Sequence, residues 1–307
     1  MLKIGIDSFG WYDMNDPQGS LEYIRDCGFE SADLGMYELL DTGRLAAEGH
    51  YPNVFDLPLE GFLEKFMPLR RAVAETGVVI GQMHAPFPIW FDGREDVNAY
   101  NVQAVEKCMA LCELLGCPAI VVHPSRRPGR RAEFELNLEN YRGLIPMAIR
   151  HPDVIICAEN IFTHSGQRIL EGRLSNPDDA CELIDTLNAE AGGRHFGFCL
   201  DIGHACLTGN KIGEFIRQLG DRLTALHIHD NDGLEDLHMV PYSYLYRDKR
   251  HVIDWEDIVR ALGDIGFRGA LSFEICTAGR VYPAEVRREV YCLTSAIGRY
   301  WRGLLTE

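Results

Sequence analysis

The sequence predicts an α/β fold, a (β/α)8 TIM barrel in a single domain spanning residues 1–307. Three observations predict it. Short β-branched or apolar runs alternate with amphipathic helical stretches from end to end, the signature of parallel βαβ construction. The alternation repeats eight times in 307 residues, room enough for a barrel whose minimum is about 250. The segment after the first strand, Ser8-Phe9-Gly10-Trp11-Tyr12, is aromatic where an open doubly wound sheet would carry a glycine-rich phosphate loop.

Strands are expected at Lys3–Asp7, Ser31–Met36, Val78–His84, Ala119–His123, Val154–Glu159, Phe196–Asp201, Leu223–His229 and Ala270–Glu274. Helices are expected between them at Leu21–Cys27, Glu60–Glu75, Val97–Leu115, Glu135–Ile149, Pro177–Glu190, Ile212–Leu219 and Trp255–Ile265, with a last one from Pro283 onward. Gly28, Gly77, Gly116, Gly266 and Gly269 fall where helices should stop and strands begin.

Composition narrows the class. Hydrophobic residues make up 46% and charged residues 25%, enough to bury a large core. Apolar runs such as Ala119–Val122 and Val154–Ala158 are far shorter than the ~20 residues that span a bilayer, so no membrane partner is expected. No charged-then-apolar leader precedes Leu2, and a cytoplasmic location is expected. The ten cysteines are scattered without a C-x-x-C pair, which suits reduced, buried thiols. A net charge of −16 argues against nucleic acid, whose binding draws on Lys and Arg neutralising phosphates. A small-molecule partner, a sugar or polyol, fits better, and a homo-oligomer is compatible with the chain.

Alternate residues of a strand face opposite ways, so a strand's last residue shares its face with those two and four places earlier. Glu159 thus shares a face with Cys157 and Ile155, Asp201 with Cys199 and Gly197, His227 with Ala225, and Glu274 with Ser272 and Ala270. The other face carries Ile156, Phe198, Leu200, Leu226, Leu271 and Phe273. Small residues suit a crowded barrel lumen and large apolar ones the helix-covered outside. Glu159, Asp201, His227 and Glu274 should therefore point inward at the carboxyl ends of their strands. Three converging carboxylates repel one another unless a cation compensates, and this mixed oxygen and imidazole set suits manganese, zinc, cobalt or magnesium. His84 and His123 end the third and fourth strands in the same manner, and Asp236 and His238 form a D-x-H pair after the seventh.

At these residues the chain resembles the xylose isomerase-like sugar phosphate isomerase/epimerase superfamily, which includes ketose 3-epimerases, inosose dehydratase and, more distantly, endonuclease IV. The matching strings are Ile156-Cys157-Ala158-Glu159-Asn160, Leu200-Asp201-Ile202-Gly203-His204, Leu226-His227-Ile228-His229-Asp230-Asn231-Asp232-Gly233, Ile253-Asp254-Trp255 and Ser272-Phe273-Glu274. The resemblance implies that Glu159, Asp201, His227 and Glu274 bind a divalent metal and that Glu159 and Glu274 double as an acid–base pair. The implied reaction is sugar isomerisation or epimerisation by proton transfer beside a carbonyl through a metal-stabilised enediolate. It further implies that His204 and His123 contact substrate oxygens. Trp11 and Trp90 suit stacking on a sugar ring.

Endonuclease IV uses residues matching His84, His123, His204, Asp236 and His238, with those of the first site, to hold three metals. An endonuclease IV-like phosphodiesterase is therefore the alternative reading, and a related dehydratase or lyase a further one. The chain departs from its relatives in a longer aromatic loop, Val240-Pro241-Tyr242-Ser243-Tyr244-Leu245-Tyr246, which is expected to form either a lid or a subunit contact. The arginine cluster Arg126 to Arg131 reads as a solvated loop.

Overall fold

The structure, a computed structural model, describes residues 2–306. The apolar runs form eight strands: β1 Ile4–Asp7, β2 Ser31–Gly35, β3 Val79–His84, β4 Ala119–Val122, β5 Ile155–Glu159, β6 Phe196–Asp201, β7 Leu223–His227 and β8 Leu271–Phe273. Each of β1 to β6 pairs in parallel with the next, and β8 returns to β1 with Ile4 opposite Leu271. Just past β7, the Ile228 N–H donates to the Ser272 carbonyl and the Ile228 carbonyl accepts from the Glu274 N–H, which closes the sheet into a barrel.

Strand parity sorts the core into two layers. Ala119, Val121, Cys157, Cys199 and Ala225, with Ile155 against them, form a small cluster inside the barrel. Ile156, Phe198, Leu200, Leu226, Leu271 and Phe273 join the larger core between sheet and helices. The lumen is narrow enough that a Cβ on Gly197 would lie 2.2 Å from Thr224 Oγ1.

Two expected helices are each broken in two. Glu60–Glu75 is divided into Leu59–Lys65 and Met67–Thr76, and the helix expected at Glu135–Ile149 into Arg130–Arg142 and Ile145–Arg150. A proline, Pro68 or Pro146, stands in the first turn of each second piece. There it lacks an N–H to continue the ladder, and its ring excludes the preceding turn. Elements not expected from sequence lie in the loops after β2, β5, β6 and β8. They are the helices Thr42–Glu48, Ile202–Leu207 and Cys276–Val281 and the hairpin pairing Thr163–Ser165 with Arg168–Leu170.

The aromatic loop is no lid. Tyr242 packs on Trp255 and Trp301 with ring centroids 6.0 and 6.1 Å away, and its hydroxyl accepts from Trp301 Nε1 at 2.8 Å. The loop therefore folds down the outer wall against the C-terminal helix Arg287–Thr306. Of the arginine cluster, Arg130 and Arg131 open the helix Arg130–Arg142 and are solvent-exposed, Arg130 pairing with Asp179 at 2.7 Å and Arg131 with Glu135 one turn on at 3.0 Å. All ten cysteines are free. Among the described residues no helix is long and apolar enough to cross a membrane.

Candidate active site

Parallel strands of a barrel end together, so their last side chains meet at one mouth. Glu159 closes β5, is 1% exposed, and aims Oε1 at His227 Nδ1 (2.9 Å) and Oε2 at His123 Nε2 (2.9 Å). Glu274, just past β8, brings Oε2 within 3.5 Å of the same His227 Nδ1. Behind the ring, His227 Nε2 stands 3.2 Å from Asp33 Oδ2, which also accepts from Gln82 Nε2 at 2.7 Å. Burial works against the Glu159 carboxylate, but His227 and His123 outweigh it and hold its pKa well below the usual range.

Asp201 ends β6 and caps the helix Ile202–Leu207, accepting from the His204 N–H at 2.6 Å. The cap fixes one turn of helix, and that turn presents His204 to the mouth. Asp201 Oδ1 and Oδ2 lie 3.1 and 3.2 Å from His229 Nε2. His229 stacks on His238 with centroids 4.0 Å apart, and Asp236 Oδ2 lies 3.1 Å from His238 Nε2 and 3.4 Å from His204 Nε2. Gly203 makes this packing feasible, because a Cβ there would lie 1.9 Å from His229 Cε1. Burial opposes charge on His204, but Asp201 and Asp236 prevail and raise its pKa to about 9. Burial likewise opposes the Asp236 carboxylate, which His204 and His238 hold well below its ordinary value.

Three of the histidines share a further pattern. Nδ1 of His84, His204 and His238 stands 2.8, 2.9 and 3.0 Å from the carbonyls of Ala85, Asn160 and Glu274. With Nδ1–H donating to the backbone, each presents Nε2 to the mouth, the arrangement that orients imidazole metal ligands. His84 Nε2 meets His123 Nε2 at 3.0 Å.

The donors fit a divalent ion. Four groups bring one ligand atom per residue within 4.8 Å of one another: His84, His123 and Glu159; Glu159, Asp201 and His227; Asp201, His229 and Glu274; and His204, His229, Asp236 and His238. Glu159 and Asp201 each belong to two of them. Among the described residues, His229 Nδ1 and Asp236 Oδ1 are buried without a hydrogen-bond partner, a costly state that a bound cation would relieve at the carboxylate.

Of the residues singled out from sequence, Glu159, Asp201, His227, Glu274, His84, His123, His204, Asp236 and His238 all reach this mouth. Glu274 sits slightly apart, grouped with Asp201 and His229. Trp11 stands at the end of β1, its Nε1 donating to the Asp7 carbonyl. Trp90 packs on the buried Tyr141, with centroids 5.5 Å apart. The aromatic rings over the histidines are Phe87, 4.2 Å from His123, Tyr37, 5.4 Å from His84, and Phe162, 5.0 Å from His204. Sequence reasoning missed these three along with Asp33 and His229. His229 could have been found by its spacing of two from His227, and Asp33 by its parity with Ser31. Loop aromatics carry no such periodic signal.

Comparison with known proteins places this geometry in context. The profile of the xylose isomerase-like TIM barrel family matches residues 21–294. An uncharacterised protein, y4fM, of Sinorhizobium fredii is 23% identical over 67% of this chain and 69% of its own length. An uncharacterised Mycobacterium leprae protein is 28% identical, and the aligned part of this chain spans about half of it, 53%. Among solved structures, a D-tagatose 3-epimerase-like protein superposes with a TM-score of 0.70 at 19% identity, covering 99% of this chain and 98% of that one. The 3-keto-D-glucoside 4-epimerase YcjR of E. coli does so with a TM-score of 0.70 at 16% identity, covering 98% and 100%.

Proposed function

The chain belongs to the xylose isomerase-like TIM barrel family, and from that premise we propose that it is a metal-dependent isomerase or epimerase of a sugar or sugar-derived polyol. One observation carries the reading. Carboxylates from β5 and from the end of β8, Glu159 and Glu274, approach one imidazole nitrogen at 2.9 and 3.5 Å, with Asp201 in the same cluster. Two carboxylates around one cation centre are what proton removal and return beside a carbonyl requires. The names of the solved structures it resembles, sugar 3- and 4-epimerases, support the same class.

Glu159, Asp201, His227 and Glu274 would hold the ion, whose chemistry, when bound, is to draw electron density from adjacent substrate oxygens and acidify the neighbouring C–H. Glu159 and Glu274 take and return the proton at that carbon. His204, its Nδ1 anchored on the Asn160 carbonyl, directs Nε2 toward a substrate oxygen. Phe87, Phe162 and Tyr37 wall the mouth and limit water around the reacting carbon. Trp11, and with it Trp90, would offer a ring for stacking on the sugar. Further cations at His84, His123 and Glu159, and at His204, His229, Asp236 and His238, belong to the same proposal. Manganese, zinc, cobalt and magnesium are the candidate ions.

The test is solvent exchange. The metal-loaded protein, incubated in deuterated water with ketoses, aldoses and inososes, should place deuterium on the carbon beside the carbonyl of at least one of them. Absence of exchange across the panel and across the four metals contradicts the reading. A dehydratase or lyase begins with the same abstraction and would reveal itself by loss of water from the exchanged sugar.

The same cluster favours a second reading, an endonuclease IV-like phosphodiesterase, because its groups supply neighbouring cation sites joined through Glu159, Asp201 and His229. The net charge of −16 opposes it, since 46 Asp and Glu against 30 Lys and Arg would repel a polyanion. Cleavage of an abasic-site duplex, abolished by Asp236→Ala, would establish this second activity.

A further inference from the structure

The C-terminal helix has more apolar surface than its own barrel uses. Its inward face buries Tyr291, Thr294, Ser295 and Trp301. A second stripe starts at Val286, in the single 3-10 turn Ala284–Val286 that leads into the helix, and runs along its flank as Val290, Leu293, Ile297, Tyr300 and Leu304, at alternating intervals of four and three residues. That spacing is the seam of a helix packed along another helix. Yet Val286, Leu293, Tyr300 and Leu304 are 43, 56, 61 and 48% exposed. Between this flank and the aromatic loop lies a groove of about 620 Å³, walled by Pro241, Tyr242, Tyr282, Val286, Leu293 and Ile297.

Size decides what could cover it. A large apolar side chain that is half exposed shows on the order of 100 Å². Tyr282 and the four stripe residues together thus present roughly 500 Å², near the upper end of the largest patch on an ordinary monomer. One side of a standard interface buries about 800 Å², of which somewhat over half is apolar. The exposed stripe supplies that apolar share by itself.

Symmetry decides who supplies the other side. When the helix is laid antiparallel on its own copy about a two-fold axis between Leu293 and Ile297, Val286 meets Leu304 of the second copy. Val290 then meets Tyr300, and Leu293 meets Ile297. Every stripe residue finds an apolar partner from the same set, the self-complementarity that a two-fold interface requires. Ala296 and Gly303, beside the stripe on its solvent side, carry too little side chain to hold a second helix away.

We propose that a second copy of this chain docks on this stripe, C-terminal helix against C-terminal helix, to form a two-fold dimer. The dimer also braces the mouth. The groove's far wall follows directly on His238, Tyr242 is tied to Trp301, and the Ser243 N–H donates to Asp230 Oδ2 at 2.8 Å. Covering the groove therefore holds the segment that presents Asp236 and His238.

Sedimentation velocity on the full, metal-loaded chain tests this independently of any activity. A dimer is expected at micromolar concentration. The double substitution Leu293→Glu and Tyr300→Glu should give a monomer with an unchanged circular dichroism spectrum, because both side chains are mostly in solvent. Leu59→Glu, on a different helix and 47% exposed, should leave the dimer intact. A monomeric parent chain, or a dimer that survives the double substitution, overturns the proposal. Should the double variant fail to fold, a photoreactive benzoylphenylalanine in place of Leu293 should crosslink to the 293–301 segment of the second copy. Crosslinks elsewhere, or none, would overturn it equally.

Discussion

The Nε2 atoms of His84 and His123 face each other at 3.0 Å, with Glu159 Oε2 2.9 Å from the second. His84 Nδ1 is occupied at the Ala85 carbonyl, so in the neutral ring Nε2 carries a lone pair. Burial lowers the His123 pKa to about 4 despite Glu159, so that ring is neutral at physiological pH. Two imidazoles and a carboxylate at such distances form a ligand set. Replacing His84 by Ala should therefore reduce the bound metal by one equivalent while leaving an ion at Glu159, Asp201 and His227. Metal analysis of the purified variant against the parent reads the difference directly.

Glu159 and Glu274 should not respond alike to loss of charge. Glu274→Gln removes a partly exposed carboxylate and should lower turnover by ~10²–10⁴-fold, the range of a lost acid–base group, with the fold intact. Glu159→Gln removes a carboxylate common to two ligand groups and should reduce metal content further than Glu274→Gln, whose carboxylate belongs to one. Steady-state kinetics with metal analysis on both variants separates the two effects. Equal metal content in both would contradict the sharing.

Asp33 acts behind His227 and touches no substrate in this arrangement. Asp33→Asn should weaken metal affinity by about 10–100-fold, the usual cost of losing the group that orients a ligating imidazole. The expected readout is chelator competition followed by thermal melting, in which the variant loses its metal-dependent stabilisation at lower chelator concentration.

Metal uptake at His204 should depend on pH. Its pKa is raised to about 9 in the metal-free protein, because Asp201 and Asp236 outweigh burial. At neutral pH the ring is protonated, and an ion bound there must displace that proton. Affinity at this group should therefore rise with pH up to about 9, with protons released from His204 and from His238, whose pKa Glu274 and Asp236 also raise against burial. Calorimetric titrations in buffers of different ionisation heat would report the protons, and a pH-independent affinity would refute the assignment.

Gly203→Ala tests the packing beneath the mouth. The new Cβ would lie 1.9 Å from His229 Cε1, and the ring is wholly buried. An overpacking cost of roughly 1–3 kcal/mol is expected from denaturant unfolding. The displaced His229 should also loosen its stack on His238.

Strand parity leads from the sequence to most of this site. Glu159, Asp201 and His227 each end a strand whose inward positions are small or polar, so the alternation that marks the strand also marks the side chain's direction. The same rule extended by two residues reaches His229, although β7 has already ended at His227. Phe87, Tyr37 and Phe162 were hidden because their places follow from loop paths, which tertiary contacts set. Trp90, in the loop after β3, packs on Tyr141, a contact that its sequence position alone does not announce. The two divided helices were legible in principle through Pro68 and Pro146, and apolar periodicity across the break concealed them.

The central claim is that side chains from the last four strands hold one ion between them. The most direct measurement is an anomalous difference map from crystals grown with manganese, collected near the manganese edge. The account predicts a peak among Glu159, Asp201, His227 and Glu274. Manganese bound elsewhere with no peak among those four, or ordered crystals whose four side chains stay hydrogen-bonded to one another in saturating metal, would contradict it.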